Sequence, residues 1–470
     1  MQITKREFLR KLGLVGAAGV TGAALGDQVP ADAGTAGRFY VREEDDWGVK
    51  RTFDIPHSME DGPSAFLKDG KVFRPMREVP IFHETDVVVV GGGPAGFSAA
   101  IAAARAGAKV ALVERYGSLG GLFTNGLVLL LMATSVKEDG KWKLVTKGLA
   151  KEFMDRGLKE GMSTGDFTDQ YHWQPTLDAE GSKYLMDKMI AEAKVEMFFH
   201  SWGVDVIQDG AEVKGVVFES KQGTQAILAK QVVDATGDGD LLFSAGGDYR
   251  QVTHGIGHCV QLANMDRITA KDRHRDKDGN PFPHWPMRSN EPNRGLWWGN
   301  MGPGPKGNGL DVRELSRAEV NFRRRWWEQV REMQKTPGWE QVYIANTCSQ
   351  IGVRNTRLVA AEFVVDAAAA RGPAPADTVA WAGDGGYGFG GIAVPYRQLV
   401  PKKVENLLCC GRMLGAPDTI ETLRLITPCM TTGEAAGTAA AMAALKGIHP
   451  RDLDVKSLRK ALAAANVYLG

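Results

Sequence analysis

Asp86-Val87-Val88-Val89-Val90-Gly91-Gly92-Gly93-Pro94-Ala95-Gly96 is the stretch on which the fold turns. Four consecutive valines suit a buried parallel strand, whose two covered faces call for an unbroken β-branched run rather than an alternating one. Glycines follow at once, then an alanine-rich segment to Ala106 and Gly107. That order predicts a helix closed by a glycine in the left-handed conformation usual just past a helix end. Lys109-Val110-Ala111-Leu112-Val113 reads as the next strand, ending in Glu114. Glu114 falls at about the 20-residue spacing from the glycine turn that suits a carboxylate on ribose hydroxyls. Gly91 permits the tight turn, Gly93 lets backbone approach a pyrophosphate, and Gly96 lets helix and strand pack closely. The helix amino terminus offers unpaired N–H groups and its positive dipole end to phosphates. Strand, glycine turn, helix, strand and acid together predict a dinucleotide site.

Upstream, Thr4 to Lys11 is charged, Leu12 to Leu25 is softly apolar, and Ala31-Asp32-Ala33 is a small-x-small cleavage pattern. Those three features describe an export signal over residues 1–33. It resembles a twin-arginine signal, with Lys5 in place of the first arginine, and implies a periplasmic destination. The alternative is an ordinary amphipathic helix. Residues 34–85 read as a polar, proline-broken arm.

The whole chain has 470 residues, 43% hydrophobic, with 57 basic and 56 acidic side chains and a formal charge of +1. At about 100–200 residues per domain it holds two or three domains. No basic excess or stripe marks it as a nucleic-acid binder, and no apolar run of about 18 residues marks a membrane span. Five cysteines, Cys259, Cys348, Cys409, Cys410 and Cys429, form neither a disulfide framework nor a metal-ligand spacing, so no metal is expected.

Downstream of Glu114 comes Gly117-Ser118-Leu119-Gly120-Gly121-Leu122-Phe123-Thr124-Asn125-Gly126, where a glycine pair lets a second stretch of backbone run against a flavin dinucleotide. Ala226 to Val233 reads as a strand leading into Asp234-Ala235-Thr236-Gly237-Asp238-Gly239-Asp240. These pieces resemble the FAD-dependent oxidoreductases of the glutathione-reductase structural type. The carboxyl-terminal third narrows the likeness. Gly352-Val353-Arg354-Asn355-Thr356-Arg357, Asn406-Leu407-Leu408-Cys409-Cys410-Gly411-Arg412, Arg424-Leu425-Ile426-Thr427-Pro428-Cys429-Met430 and Gly433-Glu434-Ala435-Ala436-Gly437-Thr438-Ala439-Ala440 resemble motifs of the exported FAD-dependent oxidoreductase family.

The resemblance implies an α/β fold: a Rossmann-like FAD-binding domain of three layers, β-β-α, interrupted by an α+β substrate domain. The FAD domain is expected over 86–247, with an inserted segment at about 127–175, and again over 393–447. The substrate domain takes 248–392 and a tail 448–470. By the same resemblance Gly91, Gly93, Pro94, Ala95 and Gly96 hold the pyrophosphate, Glu114 the adenosine ribose, and Arg115 the adenine. Gly120, Gly121 and Thr124 line the flavin end, Gly203 and Val204 meet the adenine edge, and Gly237 and Asp238 close beneath the cofactor. Arg412, after Gly411, lies near the pyrophosphate or ribityl chain. Cys429 and Met430 stand where a helix running to about Leu445 begins, its amino terminus aimed at the flavin. No histidine lies between Glu114 and Gly126, where the succinate dehydrogenase type carries a covalent link, so FAD is expected to be noncovalent.

Catalytic candidates come from the substrate domain. His254 and His258 stand at an i, i+4 interval in a strand that crosses in front of the flavin in relatives, where a neutral imidazole takes a substrate proton; the alternative is a structural histidine. Arg354 and Arg357 suit a bidentate clamp on a substrate carboxylate, or else pairing with acidic neighbours. His274 sits in a mixed charge run that reads as a solvated loop. Of Trp326-Trp327, one side chain is expected to face the core. Asp384 to Gly391 is glycine-rich but reads as a loop near the substrate, not a second dinucleotide site. The expected function is hydride transfer from a small organic substrate to flavin N5, with reoxidation by a partner protein or quinone. A flavin monooxygenase or halogenase-like enzyme, and a noncatalytic electron-transfer or assembly subunit, are the alternatives.

Overall fold

The computed structural model describes the backbone of residues 40–44 and 50–54, and from residue 65 onward all but 166–174, 270–288, 291, 301–303 and 305. The segment read as an export signal, and the charge run around His274, lie outside the described residues. Residues up to His57 form one unit, whose described part is an antiparallel hairpin of Tyr40–Glu44 and Lys50–Asp54. Ser58 to Gly470 form the other.

The valine run ends strand β1 (Ile81–Val90), and Val87 to Val90 are all buried. Burying each valine stabilises by roughly 1.5–3 kcal/mol, so this strand anchors the core. Helix α1 (Pro94–Arg105) follows, with its proline in the first turn, where no N–H is needed. Gly107 past its end has φ +97°, the left-handed closure the sequence predicts. β2 (Val110–Val113) pairs with β1 in parallel, and β3 (Glu196–Phe198) pairs with β2.

β4 (Trp202–Asp209), β5 (Glu212–Ser220) and β6 (Gly223–Asp234) form an antiparallel meander. β6 is long enough to serve twice. Its first half pairs with β5, while its last three residues, Val232 to Asp234, take Leu407–Cys409 as a parallel neighbour on that edge. On its other edge it runs parallel to β1. The result is a parallel sheet in the order Leu407–Cys409, β6, β1, β2, β3, with the meander continuing from β6. This is a Rossmann-like α/β fold.

A long helix, Ile426–Lys446, packs along α1. A Cβ on Gly433 would fall on the carbonyl oxygen of Ala95, and one on Gly437 on that of Ala99. Both pairs are spaced by four, so they lie on facing stripes and bring the two backbones into direct contact. The helix begins four residues before Met430, the start expected from the sequence. Pro428 sits inside its first turn, where a missing N–H breaks no hydrogen bond.

A second core collects Ile256, Val260, Leu262, Phe322, Trp326, Met333, Trp339 and Val353. Its strands include His254–Gly257 and Cys259–Ala263, and helix Val312–Gln334 covers them. Trp326 is fully buried there while Trp327 is 61% exposed, so one tryptophan of the pair faces inward. Among the described residues no helix is long and apolar enough to cross a membrane.

Candidate functional site

A cavity of about 620 Å³ opens at the carboxyl ends of β1, β2 and β6, where ligands of open parallel sheets bind. Gly91, Gly93, Pro94 and Ala95 line it after β1, Glu114, Arg115 and Tyr116 after β2, and Ala235 to Gly237 after β6. Gly121, Gly203, Gly411, Arg412 and Cys429 also line it. The strands and loops around the second core contribute Gly257, Cys259, Trp298, Asn300, Gln350, Gly352 and Arg354.

The glycines there serve different needs. A Cβ at Gly91 would meet the Ala235 carbonyl oxygen at 2.5 Å, and its φ is +98°. Gly93 has an ordinary φ of −67°, and a Cβ there would meet no protein atom within 4 Å. It would stand in the cavity itself. What glycine preserves at 93 is room for a ligand against bare backbone, which is the fit a pyrophosphate needs. Gly120 anchors the second glycine segment by donating its N–H to Gly92 at 2.8 Å, and Gly121 passes the Gly93 backbone. Thr124 lies behind, its hydroxyl donating to Leu119.

Glu114 is buried, and its carboxylate accepts the N–H groups of Gly92 at 2.6 Å and Tyr116 at 2.8 Å. Burial raises its pKa, and those two donors oppose the rise. Arg115 lies over the rings of Tyr116, at 4.9 Å, and Trp202, at 5.4 Å. Trp202 also lines the cavity and is 55% exposed, a flat platform suited to an adenine face. Gly203 beside it packs on Val90, while Val204 is exposed and does not line the cavity.

Arg412 is buried and paired with Asp238 at 2.6 Å. Its Nε has no partner among the described residues, an orphaned donor beside the glycine turn. Asp238 itself stands behind it and accepts the Thr356 hydroxyl at 2.7 Å.

The arginines of the Gly352–Arg357 segment divide. Arg354 lines the cavity, donates to the Gly255 carbonyl at 2.6 Å, and has no carboxylate partner among the described residues. Arg357 turns away, pairs with Asp240 at 3.0 Å and stacks on Phe243. Its place in the cavity is taken by Arg424, whose Nε donates to Glu421 at 3.1 Å.

His254 does not line the cavity. Its Nε2 meets Glu421 at 2.6 Å and its Nδ1 meets the Asn355 amide oxygen at 3.1 Å. Asn355 is oriented by donating its own amide to the Arg412 carbonyl at 2.6 Å. Both ring nitrogens are therefore engaged by protein oxygens, and neither is directed into the cavity. His254 instead positions Glu421, and through it Arg424.

A family model described as FAD dependent oxidoreductase matches residues 86–462. The chain belongs to that family. Its cofactor is FAD, and the glycine turn, Glu114, Arg115, Trp202 and Arg412 are the groups that would hold it. Among curated proteins, dihydrolipoyl dehydrogenase of Trypanosoma brucei brucei is 36% identical over 162 residues, 34% of this chain and 31% of that one. Digeranylgeranylglycerophospholipid reductase 1 of Methanopyrus kandleri is 31% identical over 158 residues, 33% of this chain and 40% of that one. The match thus spans about a third of the first relative's length. The solved p-nitrophenol 4-monooxygenase PnpA of Pseudomonas putida DLL-E4 aligns with a TM-score of 0.43 at 16% identity, covering 81% of this chain and 84% of that one.

Further residues of this FAD dependent oxidoreductase lie apart from what the sequence suggests. His258 is fully buried in the second core, stacked on Phe322 at 5.6 Å, and neither ring nitrogen has a hydrogen-bond partner among the described residues. Strand parity explains this. Gly257 and Cys259 line the cavity, so His258 between them points the other way. Burial, and then the Arg323 cation, push its pKa down to about 4. The Glu319 carboxylate, 3.7 Å away, does not offset this because it is already paired with Arg323. The folded state therefore holds His258 neutral, while the unfolded chain takes up a proton below about pH 6.5. This contribution to stability is present above pH 6.5 and is lost as pH falls from 6.5 to about 4, by about 3 kcal/mol. Urea melts of wild type and His258→Phe across that range should show this slope only in the wild type; equal slopes would refute the assignment.

Cys429 lines the cavity at the helix start, but burial pushes its thiol up to about 12 and its Sγ lies 3.5 Å from the Arg424 carbonyl. It is a packed thiol rather than a thiolate. Met430 is fully buried outside the lining, as is Gly96, where a Cβ would fall on the Gly91 carbonyl. Trp202, Arg424 and Asn300 line the cavity without having been marked as site residues in the sequence, although Arg424 opens a quoted motif.

Proposed function

We propose that this oxidoreductase dehydrogenates a small organic substrate and passes the electrons to a separate acceptor, a redox protein or a quinone. The observation that carries this reading is the cavity, which joins the dinucleotide turn to polar groups from the strands of the second core. Bound FAD supplies a two-electron acceptor there. The chain's own residues bind, orient and exclude water: Leu130, Met132 and Trp298 form apolar wall, and the amino terminus of Ile426–Lys446 presents its positive end through Leu425 and Ile426. The loop from Asp384 to Gly391 joins the antiparallel strands Thr378–Ala382 and Ile392–Pro395 and leads into no helix, so it supplies no phosphate-binding helix end for a nicotinamide cofactor. Electrons then enter from the substrate.

The test begins with the absorbance spectrum of purified protein before and after acid precipitation. Flavin is expected in the supernatant, since the attachment is noncovalent; flavin in the pellet would overturn that part. Anaerobic mixing with a substrate panel should then bleach the flavin bands. Failure with every small molecule, joined to ready reduction by a redox protein, would favour an electron-transfer subunit. Substrate-dependent oxygen incorporation would favour a monooxygenase. Export is part of the same proposal, supported by the charged, apolar and Ala31-Asp32-Ala33 segments. A reporter fused behind residues 1–33 should reach the periplasm, and cytoplasmic retention would refute it.

A further inference from the structure

We infer that the substrate is a small carboxylate bearing a hydroxyl or amino group beside it, its carboxylate held by Arg354 and Arg424 and its O–H or N–H accepted by Asn300. The inference rests on the dehydrogenase reading of the cavity and names the substrate class.

Charge is the first argument. Four arginines line the cavity; Arg115 and Arg412 stand at its dinucleotide end, and the carboxylate nearest the other two, Arg354 and Arg424, is Glu421, already shared between Arg424 and His254. Arg354 is left with a backbone carbonyl and no acid among the described residues. An unpaired cation away from bulk water is costly, and an anionic ligand relieves that cost. Burial lowers the pKa of Arg354, and the charge of Arg424 lowers it further, while the Glu421 carboxylate, paired with Arg424, opposes these two without offsetting them. A guanidinium fork matches the two oxygens of a carboxylate.

Hydrogen-bond chemistry is the second argument, and it is independent of charge. The side-chain oxygens of Asn300 and Gln350 are buried and have no partner among the described residues, and both residues line the cavity. Gly257 places one of them beside the cation: a Cβ there would meet both terminal nitrogens of Arg354 at 3.4 Å and the Asn300 oxygen at 3.6 Å. A cationic fork and a bare acceptor thus converge on one small volume. A phosphate monoester dianion brings only acceptors and would be repelled by Asn300, and a plain alcohol would leave the arginines unmatched. A 2-hydroxy or 2-amino carboxylate supplies an anion and a donor at adjacent atoms.

The test is equilibrium binding to the FAD-loaded protein, read by calorimetry and by perturbation of the flavin spectrum, without turnover. The panel is lactate, mandelate and alanine, each with its neutral amide and its acid lacking the 2-substituent, plus inorganic phosphate. At least one acid should bind about 100-fold more tightly than its amide, and about tenfold more tightly than the unsubstituted acid. Arg354→Gln should abolish the preference for acid over amide. Arg354→Lys, which keeps the charge without the fork, should retain part of it. Asn300→Leu should erase the preference for the 2-substituent, with FAD content serving as the control for folding. Equal binding of acids and amides, tighter binding of phosphate, no binding by any member, or an unchanged preference in Arg354→Gln would overturn the inference. Carboxylates that bind with this discrimination yet never bleach the flavin would leave the inference standing and sink the dehydrogenase reading. Neutral alcohols that bleach it while carboxylates do not bind would do the reverse.

Discussion

Gly437→Val is expected to destabilise the chain by about 4 kcal/mol or more, enough to deplete the folded state of most single domains. In an isolated helix, replacing an interior glycine would gain up to about 1 kcal/mol of propensity, so the sign here is set by packing alone. A side chain at 437 would fall on the Ala99 carbonyl oxygen of α1, a backbone atom that no rotamer change can move aside. The two helices must separate, and α1 then leaves the sheet it covers. Urea denaturation followed by tryptophan fluorescence measures the loss. A midpoint within about 1 kcal/mol of wild type would contradict the contact described between the two helices.

Gly93→Leu is expected to behave oppositely: a folded protein that has lost its cofactor. The glycine has φ −67°, which any residue adopts, and a Cβ there meets no protein atom within 4 Å. The stability of the apoprotein should therefore change by no more than about 1 kcal/mol, the scale of an altered helix cap. The added side chain fills the space where a pyrophosphate would lie, and affinity for FAD should fall by at least about 100-fold. Flavin retained after dialysis, compared with the melting of the apoprotein, separates these effects. A variant that keeps FAD as wild type does would show that the dinucleotide lies elsewhere. Gly91→Val, by contrast, should lose both properties, because its Cβ would collide with the Ala235 backbone.

The first strand, its glycine turn, α1 and β2 were legible in the sequence because their signals are local: a valine run, a helix of small residues, a left-handed glycine. The closing helix was legible as an element but not in its start, since Pro428 looks like a stop and is tolerated in a first turn. The histidines turn on strand parity. The i, i+4 spacing of His254 and His258 places both on the face that also carries Ile256 into the second core, while Gly255, Gly257 and Cys259 take the opposite face. Arg424 stood first in a quoted motif, but its nearness to Arg354 arises only when a helix start and a distant strand meet. Asn300 and Trp202 gave no local signal, because a platform or an orphaned acceptor is a property of neighbours far away in sequence.

The pairing of Leu407–Cys409 with the end of β6, and of the last long helix with α1, also sets an order of events on the ribosome. The first glycine turn is synthesised early, yet the last parallel neighbour of its sheet and its helix cover arrive more than three hundred residues later. At roughly 5–20 residues per second, the nascent chain spends on the order of 15–70 s with the bare stripe of Ala95 and Ala99 exposed. Cofactor capture is therefore a late step of biogenesis, and chains arrested before Leu407 are expected to emerge without flavin however much FAD is supplied.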